Sequence, residues 1–328
     1  MQILITGGAG LLGTRLAKAL LARGSLTDGN SATRTVSKVT LFDIVPAAGF
    51  DDPRVVSVVG DVASAADIAA VLTPQTDAVF HLAAVVSGQA EADFDLGMRI
   101  NLDATRMLLE RARANGNRSK FIFTSSVAVF GGLLPARVPD DFAPMPQSSY
   151  GMQKVAGELL ANEYSRRGFI DGRVLRMPTV CVRPGAPNRA ASSFASGIIR
   201  EPLNGIDAVC PVAPETVMWL ASPAVAIANM IHGHEVDSAH LGSSRVLSLP
   251  GLSVTVGEMA AALARVAGSS AAARIVWQRD PAIERIVNSW PGDFITDRAD
   301  ALGFARDAAF DDIVRAYVEQ ELGGKPSA

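Results

Sequence analysis

Cysteine is almost absent: the 328 residues contain two, Cys181 and Cys210. That excludes a disulfide-stapled scaffold, and a chain of this length can bury a large core and divide into two lobes. Excess charge of either sign is also missing. Thirty basic residues against 33 acidic ones leave a net charge of -3, so no field exists to attract a polyanion and nucleic acid is not an expected partner. Although 48% of the residues are hydrophobic, no uninterrupted apolar run reaches about 18 residues, and no membrane span is expected. The first strand-like run starts at Gln2 with no charged or apolar leader before it, and with so little cysteine the expected location is a reducing cytoplasm. Internal repeats and low-complexity tracts are missing beyond a few alanine pairs. Histidine is scarce, and His232 and His234 diverge if they sit at i and i+2 on a helix. With no carboxylate or cysteine suitably spaced, no metal is expected.

What is present is an alternation of short apolar runs and helical spacing. Gln2 to Thr6, Lys38 to Asp43, Val55 to Val59, Asp77 to Leu82, Phe121 to Ser125 and Arg173 to Met177 read as strands. They are almost wholly apolar, which predicts a parallel sheet covered on both faces, and right-handed crossovers make it a doubly wound Rossmann-type α/β sheet. Gly24 to Ser37, polar and rich in Gly, Ser and Thr, reads as a mobile surface loop. After Thr179 the prolines cluster and the alternation lapses, marking a smaller C-terminal α/β substrate lobe. The expected division is residues 1–180 for the first lobe, with a returning segment near 218–250, and 181–328 mainly for the second. Weaker helices are expected at Pro223 to His232, Val256 to Val266 and Ala308 to Leu322, with strands at Arg245 to Leu249 and Arg274 to Trp277.

Three glycines, Gly7, Gly10 and Gly13, stand between the first strand and the first helix, in the run Gly7-Gly8-Ala9-Gly10-Leu11-Leu12-Gly13. Gly7 permits a turn, Gly10 lets backbone approach a pyrophosphate at the helix N-terminus, and Gly13 lets helix and sheet pack closely. At the first βα turn this pattern predicts a dinucleotide site. Asp43 ends the second strand about 30 residues after the last glycine, later than the usual 20 or so because of the long polar segment. A carboxylate there binds ribose hydroxyls and repels a 2′-phosphate, so NAD is expected over NADP; the alternative is a solvated strand-end aspartate. Asp61-Val62 stands where the adenine amino group would be met, although a helix N-cap explains Asp61 equally well. Leu82-Ala83-Ala84 ends the fourth strand with small residues that admit the cofactor.

Tyr150 and Lys154 are four residues apart and share one helix face. A phenol near pKa 10 needs roughly 4 kcal/mol of preferential phenolate stabilisation to act as a base near pH 7, and a neighbouring cation can supply it. The fifth strand ends in the hydroxyls Ser125 and Ser126, followed by Val127-Ala128-Val129-Phe130-Gly131, at the carboxyl edge where open α/β sheets bind ligands. Taken together, the glycine loop, the Ser-Ser strand end and Tyr-x-x-x-Lys resemble the extended short-chain dehydrogenase/reductase superfamily, firmly over residues 1–180.

The resemblance implies that Ser126, Tyr150 and Lys154 are catalytic, that Lys154 lowers the tyrosine pKa and binds the nicotinamide ribose, and that Asn101, on a helix from Asp95 to Asn115, lines the cofactor site. Ser125 and Pro178 fall beside the same cofactor. Phe130 replaces the usual tyrosine of the strand-end motif, which touches neither the Ser126 nor the Tyr150 role. In relatives the helices Asp95 to Asn115 and Tyr150 to Arg167 build a dimer bundle, so a homodimer is implied; plain core packing explains their apolar positions nearly as well.

In the second lobe, Met218 to Ala226 departs from the turn carried by nucleotide-sugar enzymes. The runs SSYGMQK, SRRGFIDGRVLR, VCVRPGAPN and SSFASGIIREPL resemble instead a branch that oxidises a small, four-carbon sugar acid at C2 with NAD. Such a carboxylate needs a buried cation. Arg183 is the first candidate, with Arg200 second and Ser192 and Ser193 for substrate hydroxyls; otherwise Arg183 pins the interlobe loop to backbone carbonyls. The rival readings are a nucleotide-sugar epimerase or dehydratase, and a catalytically silent NAD-sensing regulator. Cys181 and Cys210 are expected to be buried apolar fillers.

Overall fold

A computed structural model describes residues 1–28, 32–187 and 190–324. The first lobe runs β1 (Gln2–Thr6), α1 (Leu11–Arg23), β2 (Ser25–Thr27), β3 (Thr33–Thr35), β4 (Lys38–Asp43), β5 (Val55–Val59), α2 (Ala65–Val71), β6 (Ala78–His81), α3 (Ser87–Ala92), α4 (Phe94–Gly97), α5 (Ala104–Asn115), β7 (Lys120–Ser126), α6 (Ser149–Arg166) and β8 (Asp171–Met177). There follow β9 (Thr179–Val180), α7 (Ser193–Leu203), β10 (Ala208–Cys210), β11 (Val217–Ala221), α8 (Pro223–Glu235), β12 (Val246–Ser248), β13 (Leu252–Thr255), α9 (Val256–Ala267), β14 (Ile275–Trp277) and a closing helix at Phe310–Glu321.

Seven strands form one parallel sheet in the order β12-β8-β7-β6-β1-β4-β5. Successive side chains of a strand face opposite ways. Ile3 and Ile5 accordingly join Leu16, Leu20 and Met230 under α1 and α8, whereas Leu4 joins Leu108, Phe121 and Ala161 under α2, α5 and α6. Burial on both faces therefore explains the apolar strands. The exception is β5: as the last strand in the order it leaves Val59 57% exposed. Chain order reverses between β1 and β6, and that crevice at the carboxyl edge is where such sheets take ligands.

Gly24 to Ser37 is not a plain loop. Residues 25–27 pair antiparallel with 33–35, and Leu26 and Val36 are fully buried, which anchors the hairpin on the core; residues 29–31, at its tip, lie outside the described residues. The helix expected from Asp95 to Asn115 is continuous, with a π-helical stretch at Met98–Asp103 between α4 and α5.

In the second lobe β11 lies between β9, parallel, and β13, antiparallel, while β10 pairs with β14. Its core gathers Phe194, Ile198, Met259, Leu263, Ile313 and Val314. Cys181 and Cys210 are buried in it as free thiols. Met218–Ala221 is strand rather than turn, and Ser222 caps α8 by accepting from the Val225 N–H. No described helix is long and apolar enough to cross a membrane.

Candidate functional site

A cleft of about 380 Å³ opens over the crevice between β1 and β6. The carboxyl ends of β1, β6, β7 and β8 supply its floor, and Arg183, Pro184, Ala186, Ala190, Ser192 and Ser193 with Trp290 of the second lobe supply its roof. Gly7, Gly10, Leu11, Leu12 and Gly13 form one wall. Gly7 has φ +70°, and a Cβ on it would stand 2.8 Å from the Ala83 nitrogen; a Cβ on Gly13 would stand 2.2 Å from the Gly7 carbonyl oxygen. Only glycine fits either place. No side chain caps the N-terminus of α1, so its backbone N–H groups are available to an anion.

Leu82, Ala84, Ser125, Ser126, Tyr150, Lys154, Pro178, Arg183, Ser192, Ser193 and Arg200 also line the cleft. Asp43, Asp61, Val62, Ala83 and Asn101 stand outside its wall. Asp43 lies beside the glycine loop, accepting from the N–H of Ala9 (3.0 Å) and of Ile44 (2.7 Å). Asp61 pairs with Arg99 at 2.7 Å and accepts from the Ala63 N–H, contacts that hold its carboxyl below the usual range, the Ala63 bond contributing most. The N-cap of α2 is Ser64, not Asp61, and Val62 is a core residue. Asn101 acts from behind the wall: it accepts from the Val85 N–H (2.8 Å), donates to the Val85 carbonyl (3.0 Å) and donates to Gln153 (2.8 Å).

Tyr150 stands at the start of α6, whose first turn is capped by Ser148. The Ser126 hydroxyl hydrogen-bonds the phenol and accepts from the Ala128 N–H at 3.1 Å. Burial pushes the phenol up to about 12, and the Ser126 bond and the Arg183 charge pull against it. Burial likewise brings Lys154 down to about 8, opposed by Glu158. The Lys154 ammonium donates to the Thr124 carbonyl (2.9 Å) and lies over the Phe123 ring, 4.8 Å from its centroid and 5.6 Å from that of Tyr150.

Two buried networks support the floor. Ser125 donates to Glu158 (2.5 Å), and Glu158 is held by both ends of the Arg176 guanidinium, with Arg176 stacked on Phe130. The second network has a fixed proton order. Thr105 donates to the Asn101 carbonyl, so it accepts from His81 Nε2; Nδ1 must then accept from Thr6, whose oxygen takes the Ala83 N–H. Burial, reinforced by the Lys154 charge, lowers His81 to about 3 and keeps the ring neutral.

At the other end of the cleft Arg183 forms no ion pair with a carboxylate among the described residues. Arg200 is different: it donates to the Arg183 carbonyl (2.7 Å) and to Glu201 (2.5 Å). Residues that sequence spacing missed include Ser87, Thr124, Thr179 and Trp290. Thr124 precedes the Ser-Ser pair and could have been found from it, but Trp290 is carried in from the far end of the chain with no local signal. Asn188, in the run VCVRPGAPN, lies outside the described residues. His232 bonds the Leu302 carbonyl and His234 is fully buried; among the described residues no three potential ligands cluster as a metal site would require.

Residues 3–219 match the model of the NAD dependent epimerase/dehydratase family. Two curated relatives, the D-erythronate dehydrogenases of Cupriavidus necator and Haemophilus influenzae, are 58% and 46% identical to this chain. The alignments cover 97% of this chain and 98% of the first relative, and 98% of this chain and 100% of the second. A crystal structure described as a nucleoside-diphosphate-sugar epimerase from Agrobacterium tumefaciens superposes with a TM-score of 0.93 at 44% identity, over 100% of this chain and 96% of that one.

Proposed function

Because the chain belongs to the NAD-dependent epimerase/dehydratase family, we propose that it is a dehydrogenase oxidising the C2 hydroxyl of a small sugar acid, D-erythronate, to 2-dehydro-D-erythronate. The observation that carries this reading is the cation Arg183 in one cleft with Tyr150 and Ser126, without a carboxylate of the protein's own to neutralise it among the described residues. A substrate carboxylate supplies that partner. The near-full-length identity to two D-erythronate dehydrogenases agrees with it.

The Tyr150 phenolate takes the C2 hydroxyl proton while Ser126 hydrogen-bonds the same oxygen. Bound NAD would supply the hydride acceptor for C2, so that the substrate would leave as a ketone and the cofactor as NADH. Gly7, Gly10 and the start of α1 would hold its pyrophosphate, Asp43 its adenosine ribose and Lys154 its nicotinamide ribose. Leu82, Ala83, Ala84, Ser125 and Pro178 border it, Asp61 and Val62 stand at its adenine end, and Asn101 supports its wall from behind. Ser192 and Ser193 face substrate hydroxyls. Residues 1–180 with a returning segment near 218–250 make the NAD lobe, and 181–328 make most of the substrate lobe. Two free thiols suit a cytoplasmic enzyme, and Leu159, 67% exposed on α6, marks the face proposed for a homodimer.

The description of the Agrobacterium structure favours one rival, an epimerase that returns the hydride to a nucleotide sugar. Incubating the protein with NAD and a panel of four- to six-carbon sugar acids, neutral sugars and nucleotide sugars separates the two. Net NADH from D-erythronate supports the dehydrogenase. Isomerised nucleotide sugar without NADH supports the epimerase, and no turnover of any substrate despite NAD binding supports a sensing regulator.

A further inference from the structure

Arg183 follows β9 in a stretch with no helix or strand of its own, yet its main chain is fixed at both polar groups by one helix. Its N–H donates to the Ser196 hydroxyl at 3.0 Å, and its carbonyl accepts from the Arg200 guanidinium at 2.7 Å. Ser196 and Arg200 are four residues apart on α7, so they form adjacent positions on one helical face. Both are almost completely buried, at 1% and 6% exposure. The second guanidinium nitrogen of Arg200 donates to Glu201 at 2.5 Å.

We propose that Ser196 and Arg200 are positioning residues: spaced one turn apart on α7, they clamp the main chain of Arg183 so that its guanidinium stays in the cleft as the anchor for the substrate carboxylate. This rests on the reading of Arg183 as that anchor. The clamp gives Arg200 a role through Arg183 rather than on the substrate, and Glu201 offsets the charge that Arg200 buries in doing so. An irregular segment would otherwise hold a long, rotamer-rich side chain poorly, and the entropy of ordering it would be lost from binding. Since the same guanidinium draws down the Tyr150 phenol, the clamp also sets the distance over which that charge acts.

The test uses the full-length enzyme with NAD and D-erythronate, comparing Arg183→Ala, Ser196→Ala, Arg200→Lys and the double variant Ser196→Ala/Arg183→Ala. Arg200→Lys keeps a charge beside Glu201 and guards against a variant that fails to fold. Arg183→Ala should raise KM for the acid about ten- to hundredfold. Ser196→Ala and Arg200→Lys should each raise it about five- to tenfold and leave the Kd for NAD unchanged. Both should also move the acidic limb of the kcat profile to higher pH, a change that loosened packing alone does not cause. In the double variant KM should equal that of Arg183→Ala, because a clamp has nothing left to hold. If Arg183→Ala leaves KM unaltered, the anchor reading falls and the clamp with it. If Arg183→Ala raises KM but Ser196→Ala and Arg200→Lys do not, or if the losses in the double variant multiply, the anchor stands and the clamp is overturned.

Discussion

The Ala9 N–H donates to the Asp43 carboxylate at 3.0 Å, tying the end of the second main-sheet strand in chain order to the middle of the glycine loop. The carboxylate is thus already fixed beside the loop, where the proposed cofactor site would receive the adenosine ribose. A 2′-phosphate placed there meets a like charge, which costs several kcal/mol. NAD should therefore exceed NADP in kcat/KM by about a hundredfold or more, and Asp43→Ala should narrow the gap. Equal efficiencies in the unaltered enzyme would refute the role given to Asp43.

Tyr150→Phe removes the proton acceptor and keeps the ring. Turnover should fall about 10²- to 10⁴-fold, the usual worth of a general base, with NAD binding retained by titration. In the intact enzyme oxidation should speed up as pH rises, since burial sets the phenol pKa high. Ser126→Ala deletes a hydrogen bond that favours phenolate, so its rising limb should lie at higher pH. A limb that does not move speaks against Ser126 as the phenol's partner.

His81 gives the fold a defined acid sensitivity. Its folded pKa, about 3, lies below its ordinary value of 6.5, so between these values the unfolded chain binds the extra proton. Stability is then complete above about pH 6.5 and is lost on acidification through that window, by up to about 1.4 kcal/mol per pH unit. His81→Asn should be less stable at pH 7 and show a shallower loss between pH 6.5 and 4. Parallel curves in urea unfolding at several pH values would contradict this.

Glu158 and Arg176 are both buried and paired through two guanidinium nitrogens. Glu158→Gln strands the Arg176 charge, which should cost about 3–5 kcal/mol of unfolding free energy. Glu158→Gln/Arg176→Met removes the stranded charge and should recover part of that loss. A double variant no more stable than Glu158→Gln would mean that the charge was never the problem.

The first lobe was legible because its chemistry is local. Gly7, Gly13, Tyr150 and Lys154 act through spacings of a few residues, and strands buried on both faces are written as unbroken apolar runs. β5 broke that rule without a sign in its sequence, because being last in the sheet is a property of the whole. The 25–27 and 33–35 strands were hidden in a polar composition, where two apolar anchors, Leu26 and Val36, settle the matter. That Arg183 also bears on Tyr150 was out of reach for the same reason as Trp290: Lys154 is close in sequence, whereas Arg183 is brought in by the second lobe. Spacing could mark Arg200 as a candidate, yet its bonds to the Arg183 carbonyl and to Glu201 exist only in the tertiary fold.

β12 contributes residues 246–248 to a sheet otherwise finished by residue 177, lying against β8 through Val246–Val174, Leu247–Leu175 and Ser248–Arg176. During synthesis the ribosome releases six strands long before the seventh. Until some 70 further residues have emerged, the flank of β8 stays an open edge, able to pair with any passing strand. The nascent chain thus passes through a stage at which its nucleotide-binding half is nearly complete and still adhesive, and a stalled or truncated product ending between residues 180 and 245 would be prone to self-association.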